Sequence, residues 1–567
     1  MTRRLPQALF LALVLIGLAS AFAATVAFFR RPFPALALAA VVVMVGAVAA
    51  ALRRRVPART YIELDLDRPM VEQLPDELLG RTINSQALVL RDVVDALDRA
   101  ATDRRVAGLV ARVGNGRLGV AQAQELRNAV RRFAEAGKRT VAFAETFGEG
   151  RLALVPYYLA TAFEEVCLQP TGEVNIQGVV ARRPFLRRLL DRLQVTPAFD
   201  HRKEYKAALY LLTEDRYPEA DREATTALLE THLDQLVAGV AEARRLTPAR
   251  VRELIDRAPL SPEEAMEAGL VDRLGYRDEA YPDRLLYAAR YLARAGRPHR
   301  RGAKVALIYG VGPISRGSSR FDLLTQGSSM GSDEVAGAFR AATSDRKVRA
   351  IIFRIDSPGG SAVASDVIWR EIHRAREAGK PVVATMSDVA ASGGYWAATA
   401  CARIVAQPGT ITGSIGVVAG KLVTRRAWGR LGVSWDELHL GENATFHTPD
   451  YDWSETERAR LDAYLDRVYD DFVGRVAEAR SMRPEQVEEV ARGRVWSGRD
   501  AHRLGLVDDL GGMETALRLA REAAGMDDSV KIVPYPRPRR LPRPRKPNSS
   551  QAAALEGTRP VRMPGWP

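Results

Sequence analysis

One serine lies in a glycine-rich segment of a kind that can present a nucleophile. Residues 390–396 read Ala-Ala-Ser-Gly-Gly-Tyr-Trp and follow a predicted strand at 381–385. A serine on a tight turn before a helix can expose its hydroxyl. The N–H of Gly393 can then reach the oxygen that becomes negative when Ser392 attacks a carbonyl. Taken alone, the segment also fits a helix N-cap, because serine is a favoured N-cap residue.

A second glycine-rich turn could hold the negative oxygen of such a reaction. Residues 356–361 read Asp-Ser-Pro-Gly-Gly-Ser, between a predicted strand at 351–355 and a predicted helix. The backbone N–H groups of Gly359 and Gly360 can face outward there, at the positive end of the helix dipole. Ser-Pro-Gly-Gly is also ordinary turn chemistry. Beside the Ser392 segment, however, it allows two oxyanion donors and a nucleophile in one site.

A serine nucleophile needs a base, and the sequence offers a lysine rather than a histidine. None of the seven histidines lies in the glycine-rich segments near Ser392. Residues 205–208 read Tyr-Lys-Ala-Ala, so Lys206 is followed by small apolar residues. A lysine base must be neutral, so its pKa of about 10.4 has to fall towards neutrality, which burial can achieve. From the residues alone, an exposed surface lysine remains the alternative, because lysine is rarely buried.

The chain contains an internal repeat with an offset of about 240 residues. Gly-Leu-Val-Asp occurs at 269–272 and again at 505–508. The other matched segments are 105–113 with 347–355, 157–162 with 395–400, and 177–180 with 415–418. The two halves are in register over most of their length, which predicts two copies of one domain.

Each half alternates predicted strands with predicted helices. Strand-like segments open the halves at 61–66 and 304–309, and an amphipathic helix and a β-branched strand follow in each. Such alternation is typical of parallel βαβ units with helices covering the sheet. A chain of 567 residues is also too long for one hydrophobic core. We therefore expect an α/β protein with two tandem domains after an N-terminal membrane region.

The composition gives the expected domain boundaries. Residues 1–58 form the transmembrane region, 59–297 the first domain, 298–529 the second domain, and 530–567 a basic, proline-rich, disordered tail.

Two uncharged apolar runs, at 8–29 and 34–52, open the chain. Each is close to the ~20 residues that a helix needs to cross a bilayer. A hairpin of two transmembrane helices is the simplest interpretation. A cleaved signal peptide is the alternative for the first run, with the second run left as an anchor. The positive-inside rule places the body in the cytoplasm, because five arginines flank the outer ends and two lie between the runs.

The charge distribution argues against nucleic acid as a partner. The net charge is +14, but residues 1–59 hold eight arginines and no acid, and residues 530–567 hold nine basic residues against one acid. The body between them is close to neutral, whereas nucleic-acid-binding domains carry basic charge on the folded surface. Cys167 and Cys401, the two cysteines, are too few for a disulfide framework or a metal site and are expected to be buried.

Together these segments resemble the signal peptide peptidase A family of Ser–Lys peptidases, in its long, two-repeat form. The resemblance covers about residues 61–525. It rests on Tyr-Lys-Ala-Ala at 205–208, Ser-Pro-Gly-Gly-Ser at 357–361, Ala-Ser-Gly-Gly-Tyr at 391–395, Thr-Gly-Ser-Ile-Gly at 412–416, and Trp-Ser-Gly at 496–498 with Gly-Leu-Val-Asp at 505–508. It implies two tandem domains of the crotonase and Clp-protease-like fold.

The resemblance also implies a role for each residue of the site. Ser392 would be the nucleophile, Lys206 the general base, and Ser414 the residue that orients the lysine through a hydrogen bond. The oxyanion hole would be formed by Gly359 or Gly360 together with Gly393. Neither a cofactor nor a metal is implied.

The repeat supports this division between the halves. The first-half position that matches Ser392 is about Leu154, in a stretch without Gly-Gly. The second-half segment that matches Lys206 reads Gly-Glu-Asn-Ala-Thr at 441–445. Each half therefore keeps one member of the pair, a pattern that a purely structural lysine does not explain.

By resemblance, the substrates are cleaved signal peptides and other apolar peptides, met at the cell inner membrane by a homotetramer. Two departures from the family pattern are present. Ala207 replaces the serine that usually follows the lysine, and the chain has two apolar runs where one anchor is usual. The family places the catalytic body outside the cytoplasm, against the arginine count, so both sides of the membrane stay open.

Two other functions fit parts of the pattern. A crotonase-class acyl-CoA enzyme would use the same oxyanion turns with carboxylate bases and no serine nucleophile. An inactive membrane scaffold would have lost Ser392 or Lys206, and both are present. A Clp-type Ser–His–Asp site is disfavoured, because Val417 and Val418 occupy the region where its histidine would lie.

Overall fold

The computed structural model describes residues 40–41, 44, 55–75, 77–322 and 327–536. The predicted apolar runs at 8–29 and 34–52 lie outside these residues, apart from positions 40, 41 and 44. The tail from 537 onwards lies outside them too. Among the residues that are described, no helix combines the length and the apolar character needed to cross a membrane.

The first half builds a six-stranded sheet in which every neighbouring pair of strands is parallel. The strands of the first half, of which β2, β3 and β7 lie outside this sheet, are β1 (Thr60–Asp65), β2 (Met70–Val71), β3 (Leu88–Val89), β4 (Val106–Arg112), β5 (Arg139–Ala144), β6 (Glu165–Leu168), β7 (Thr196–His201), β8 (Arg273–Leu274) and β9 (Leu285–Tyr287). Its helices are α1 (Leu78–Ile83), α2 (Leu90–Ala101), α3 (Val120–Glu135), α4 (Leu154–Ala160), α5 (Arg187–Arg192), α6 (Tyr210–Thr213), α7 (Glu219–Arg244), α8 (Pro248–Arg257), α9 (Pro262–Glu267), α10 (Arg277–Ala280) and α11 (Ala288–Ala295). The strand order is β8-β6-β5-β4-β1-β9.

The second half repeats this plan around an eight-stranded sheet. The strands of the second half, of which β11 to β14 and β19 lie outside this sheet, are β10 (Ala303–Val311), β11 (Ile314–Ser315), β12 (Phe321–Asp322), β13 (Gly327–Ser328), β14 (Met330–Gly331), β15 (Val348–Ser357), β16 (Val382–Ala391), β17 (Arg403–Ala406), β18 (Ile411–Gly413), β19 (Val418–Val423), β20 (Val495–Ser497), β21 (Asp509–Leu510) and β22 (Val530–Tyr535). Its helices are α12 (Ser332–Ser344), α13 (Ala362–Glu377), α14 (Gly393–Thr399), α15 (Arg425–Arg430), α16 (Glu455–Arg480), α17 (Pro484–Val490), α18 (Gly498–Arg503) and α19 (Met513–Ala523). The main path of the sheet is β20-β18-β16-β15-β10-β22, and β17 joins β16 to β21. All of its pairs are parallel except β18 with β20.

Each half has its own hydrophobic core. The strands of a parallel sheet are covered by helices on both faces, so they read as near-continuous apolar runs. Residues 350–353 of β15, for example, are all fully buried. The predicted α/β architecture with two tandem domains is therefore confirmed.

The second domain ends later than the sequence predicted. Strand β22 lies parallel to β10 and is paired with it from Val530 to Tyr535. These six residues were assigned to the disordered tail, and that assignment is wrong. The sheet accepts them because Val530 and Tyr535 are buried against it. The strand was not predicted because the residues that follow it are rich in proline.

A buried cluster of charges joins the two halves. Arg354 on β15 donates to Glu72 at 2.8 and 2.9 Å and to Glu125 at 2.8 Å, and both carboxylates belong to the first half. Burial alone would raise the pKa of Glu72, but the Arg354 guanidinium holds it below its ordinary value. The side chains of Arg354, Glu72 and Glu125 are each less than a tenth exposed. The cluster therefore depends on correct docking of the two halves.

A two-stranded ribbon also crosses from one half to the other. Strand β7 of the first half pairs antiparallel with β19 of the second, from His201 opposite Val418 to Thr196 opposite Val423. The chain leaves β7 directly towards Lys206. The ribbon therefore carries a segment of the first half into the second.

We expect Arg354→Ala to lower the free energy of unfolding by about 3–5 kcal/mol, because it leaves buried carboxylates without their positive partner. Denaturant unfolding of the full-length chain, followed by tryptophan fluorescence, measures the change. Arg340→Ala is the matched control, since Arg340 is half-exposed in its pair with Glu371 and should contribute less than about 1 kcal/mol. Equal losses in the two variants would contradict a structural role for the buried cluster.

Candidate active site

Ser392 occupies the sharp turn between β16 and α14. Its φ of 51° and ψ of −120° are rare for a residue with a side chain. The turn is held by its neighbours: the Ser392 N–H donates to the Gly413 carbonyl at 2.9 Å, and its carbonyl accepts from the Trp396 N–H at 2.8 Å. The Ser392 side chain makes no cap hydrogen bond. Ser392 therefore occupies the N-cap position of α14, as the alternative predicted, but its side chain does not cap the helix and its hydroxyl is available for other partners.

Lys206 reaches Ser392 across the junction of the two halves. Its Nζ lies 2.9 Å from the Oγ of Ser392. It lies equally close to Ser414, at 2.9 Å from the carbonyl oxygen and 3.0 Å from the Oγ. Lys206 is only 3% exposed, so the surface-lysine alternative is wrong. The structure thus brings together three residues that the sequence singled out.

The surroundings of Lys206 favour its neutral form. Burial lowers the pKa of Lys206 to about 7. A neutral amine has two N–H bonds and one lone pair. Its N–H bonds can go to the carbonyl and hydroxyl of Ser414, and the lone pair can then accept the Ser392 hydroxyl proton. All three contacts are satisfied in this way, and this arrangement is chemically capable of general-base catalysis at Ser392.

Two glycines leave room for the lysine: Gly416, which ends the motif at 412–416, and Gly493, which the sequence did not single out. Gly493 has a φ of +83°, and a Cβ on it would lie 2.5 Å from the backbone nitrogen of Lys206. A Cβ on Gly416 would lie 3.1 Å from the Cδ of Lys206. Contacts this short are not tolerated without movement of the lysine. No sequence pattern marks Gly493, because it touches Lys206 only in the folded protein.

The second glycine-rich turn lies against Ser392. A Cβ on Gly359 would lie 2.6 Å from the nitrogen of Gly393 and 2.7 Å from the Cβ of Ser392. Only a residue without a side chain allows this approach, and the φ of Gly359 is +98°. The backbone of this turn therefore lies directly against Ser392 and the N–H of Gly393.

Two N–H groups beside Ser392, those of Gly360 and Gly393, have no acceptor among the described residues. Ile314 uses the residues on either side of Gly360: its N–H donates to the Gly359 carbonyl, and its carbonyl accepts from the Ser361 N–H. The N–H of Gly360 points the other way. Neither it nor the N–H of Gly393, at the start of α14, has an acceptor in the described part of the chain.

Gly359 is already engaged as a donor. Its N–H donates to the Oγ of Ser357 at 3.2 Å, and that hydroxyl donates to the Gly312 carbonyl at 2.7 Å. Of the two glycines predicted as alternatives, Gly360 is the one with a free N–H. Two backbone donors beside a serine and a buried amine are suited to an acyl transfer, with the oxyanion held by the backbone.

Comparison with known proteins agrees with this chemistry. The model of peptidase family S49 matches residues 132–284 and 374–527, one segment in each half. The serine protease SPPA of Arabidopsis chloroplasts (Arabidopsis thaliana) is 31% identical over 485 residues, covering 82% of this chain and 70% of the relative. This chain belongs to peptidase family S49. As an S49 member it is a serine-type peptidase, and the resemblance predicted from the sequence is confirmed.

Other relatives of this S49 peptidase have a similar extent. Protease 4 of Salmonella typhi is 31% identical over 461 residues, 77% of this chain and 72% of the relative. Protease 4 of Haemophilus influenzae is 30% identical over 474 residues, 78% and 74% of the two chains. Among solved structures, a mutant of ClpP1 from Listeria monocytogenes matches with a TM-score of 0.24 and 15% identity, over 37% of this chain and 94% of that one. The acyl-CoA enzyme and the inactive scaffold find no support among these relatives.

We expect Gly493→Ala to reduce kcat/KM about 100-fold, because its Cβ displaces the backbone of Lys206 and the catalytic geometry tolerates little misplacement. Initial rates on a fluorogenic peptide measure the loss, and circular dichroism checks the fold. Gly474→Ala inside α16 is the control, since its Cβ meets open space and activity should not change. Full activity in Gly493→Ala would show that the position of Lys206 does not depend on this contact.

Proposed function

We propose that this chain is a membrane-bound endopeptidase that degrades cleaved signal peptides and other apolar peptides with a Ser392–Lys206 dyad. The observation that carries the proposal is the 2.9 Å contact between a buried lysine amine and a serine hydroxyl on a strained turn. The substrate class follows from the resemblance to the signal peptide peptidase A family.

In the proposed mechanism, the backbone donors and the lysine act in turn. Neutral Lys206 takes the proton of the Ser392 hydroxyl, and the Oγ attacks the peptide carbonyl. The N–H groups of Gly360 and Gly393 hold the oxyanion of the tetrahedral intermediate. Lys206 then protonates the leaving amine. A water molecule, deprotonated by the same lysine, hydrolyses the acyl-enzyme and frees Ser392.

Ser414 has a positioning role in this mechanism. Its carbonyl and hydroxyl together occupy both N–H bonds of the neutral amine. The lone pair of Lys206 is then directed at Ser392. Ser414 has a φ of +50°, which turns its carbonyl and its hydroxyl towards the same amine.

The proposal extends to fold class, membrane attachment and assembly. A parallel sheet and a largely parallel sheet, each with crossover helices, fit the crotonase and Clp-protease-like class. Integral attachment to the cell inner membrane is supported by the two apolar runs and their flanking arginines. A homotetramer is supported by the family resemblance. Peptides would be the partners, with no nucleic acid, cofactor or metal.

We expect Ser392→Ala to lower peptidase activity by about 10⁴-fold or more and to abolish covalent labelling by a fluorophosphonate probe, because both need the Oγ. In-gel fluorescence after labelling measures the second effect. Ser261→Ala is the control: it removes a helix N-cap of the first half and should leave labelling intact. Labelling and activity that persist in Ser392→Ala would exclude Ser392 as the nucleophile, and an acyl-CoA hydratase would show no labelling even in the wild type.

We expect kcat/KM to rise about tenfold per pH unit below pH 7 and to level off above it, because only the neutral lysine can accept a proton. Burial lowers the pKa of Lys206, so the rise lies near neutrality; an exposed lysine would place it near pH 10.4. Initial rates between pH 5.5 and 9.5 give the profile. A profile that is flat across pH 7 would contradict Lys206 as the base.

A further inference from the structure

A second large opening lies between the two halves, and neither Ser392 nor Lys206 lines it. This cavity has a volume of about 1190 Å³. Its walls are α2 and α3 of the first half, α19 and β22 of the second half, and the linker that follows α11. Cavities that hold small ligands usually measure ~300–1,000 Å³. There is therefore room for a small molecule that touches both halves at once.

The charges that line this cavity do not balance. Nine arginines and six carboxylates face it. Each of the six carboxylates forms an ion pair with an arginine of the same lining. Arg518 pairs instead with acids outside the cavity. Three arginines of the lining, Arg99, Arg300 and Arg301, have no carboxylate partner among the described residues. The cavity therefore carries positive charge that the protein itself does not neutralise.

A fourth arginine of the lining has a buried donor without an acceptor. The Nε of Arg91 is buried and has no hydrogen-bond partner in the described part of the chain. The Oδ2 of Asp95 lies 3.5 Å away, and it already accepts from Arg297 at 2.6 Å. Buried polar groups are nearly always satisfied, and one that is not often marks the place of an ion. An acceptor in the cavity would satisfy this donor.

The arginine-bearing linker is held in place by β22. The N–H of Ile532 donates to the His299 carbonyl at 3.1 Å, and Arg300 forms an antiparallel bridge with Lys531. The guanidinium of Arg300 also folds over Gly296, where a Cβ would overlap its Nη1. A segment that is fixed in advance loses little conformational entropy when a ligand binds.

We propose that this cavity binds a phosphate-bearing anion through Arg91, Arg99, Arg300 and Arg301. The planar guanidinium presents several donors at once and matches the geometry of phosphate oxygens. The site lies outside the proposed catalytic machinery and does not rest on the proposed function.

The phosphate could come from a soluble compound or from the headgroup of an anionic phospholipid. Arg294, three residues before the linker arginines begin at Arg297, donates to the carbonyl of Arg55 at 3.4 Å. The cavity is therefore close to the point where the chain enters the fold after its apolar runs. This position brings a lipid headgroup within consideration beside a free phosphate.

A ligand in this cavity would also stabilise the docking of the two halves. Its binding site is complete only when α2 and the linker face α19 and β22. A ligand that binds the folded state alone raises its stability by mass action. We expect inorganic pyrophosphate to raise the melting temperature of the wild-type chain in a concentration-dependent way.

Calorimetric titration of the full-length chain with inorganic pyrophosphate, in a mild non-ionic detergent, tests the site. We expect saturable binding by the wild type. The triple variant Arg99→Gln, Arg300→Gln, Arg301→Gln should bind about 30-fold or more weakly, because three charged donors are lost. It should also lose the rise in melting temperature. Arg99→Gln alone should weaken binding about fivefold, which keeps the test decisive if the triple variant fails to fold.

A matched triple variant controls for the loss of net charge. Arg245→Gln, Arg346→Gln, Arg499→Gln removes three exposed arginines that lie outside the cavity. Its affinity for pyrophosphate should stay within about threefold of the wild type, since only long-range screened charge is removed.

Short-chain lipids separate the two sources of phosphate. Displacement of pyrophosphate by dihexanoyl-phosphatidylglycerol, and not by the zwitterionic dihexanoyl-phosphatidylcholine, would assign the site to an anionic headgroup. Displacement by neither lipid, with pyrophosphate still bound, would assign it to a soluble phosphate compound.

Two outcomes would overturn the proposal. One is a wild-type chain that binds neither pyrophosphate nor phosphatidylglycerol saturably. The other is equal affinity in the cavity variant and the surface control, which would place binding elsewhere. Fluorophosphonate labelling of Ser392 in the same samples tests the peptidase mechanism separately, and failure of one proposal leaves the other standing.

Discussion

Most features of this fold follow from one constraint: the amine of Lys206 is buried without a counter-charge. Water has to be excluded around Nζ of Lys206, and no carboxylate lies in contact with it in the described structure. A pKa lowered from 10.5 to about 7 corresponds to a free-energy cost on the order of 5 kcal/mol for the charged form. Neither half alone encloses the amine. The enclosure is made by the docking of one half on the other.

Several features of the fold serve this docking. The ribbon of β7 and β19 directs the chain towards the second half, and the glycines at 416 and 493 admit the lysine backbone and stem. The Arg354 cluster connects the same two halves through buried charges that are matched only when the halves are in place. The contacts that place the amine therefore depend on the contacts that hold the domains together.

The chemistry of the site was more predictable from the sequence than its surroundings. Ser392, Ser414 and Gly393 lie in short motifs, and their spacing around predicted strands was enough to expect a turn with backbone donors. Lys206 needed the repeat, because a lysine gives no local sign that it will be buried. The sequence could not decide whether Gly359 or Gly360 supplies the free N–H. That depends on which carbonyl and which N–H of the turn are bonded to Ile314 in the folded protein. Gly493 contacts Lys206, and Arg354 contacts Glu72 and Glu125, only in the folded protein. These positions lie far apart in the sequence, so no local sequence pattern indicates the contacts. Strand β22 was missed because its six residues adjoin a proline-rich stretch.

The placement of the two reactive side chains on different halves also orders events in time. A chain is synthesised from its N-terminus, and domains fold as they emerge. The first half to fold carries an amine without a nucleophile, and the serine emerges about 190 residues later. A chain that ends before residue 392 therefore lacks one member of the proposed dyad. The proposed dyad is complete only when the chain has been made beyond residue 392 and its two halves have docked.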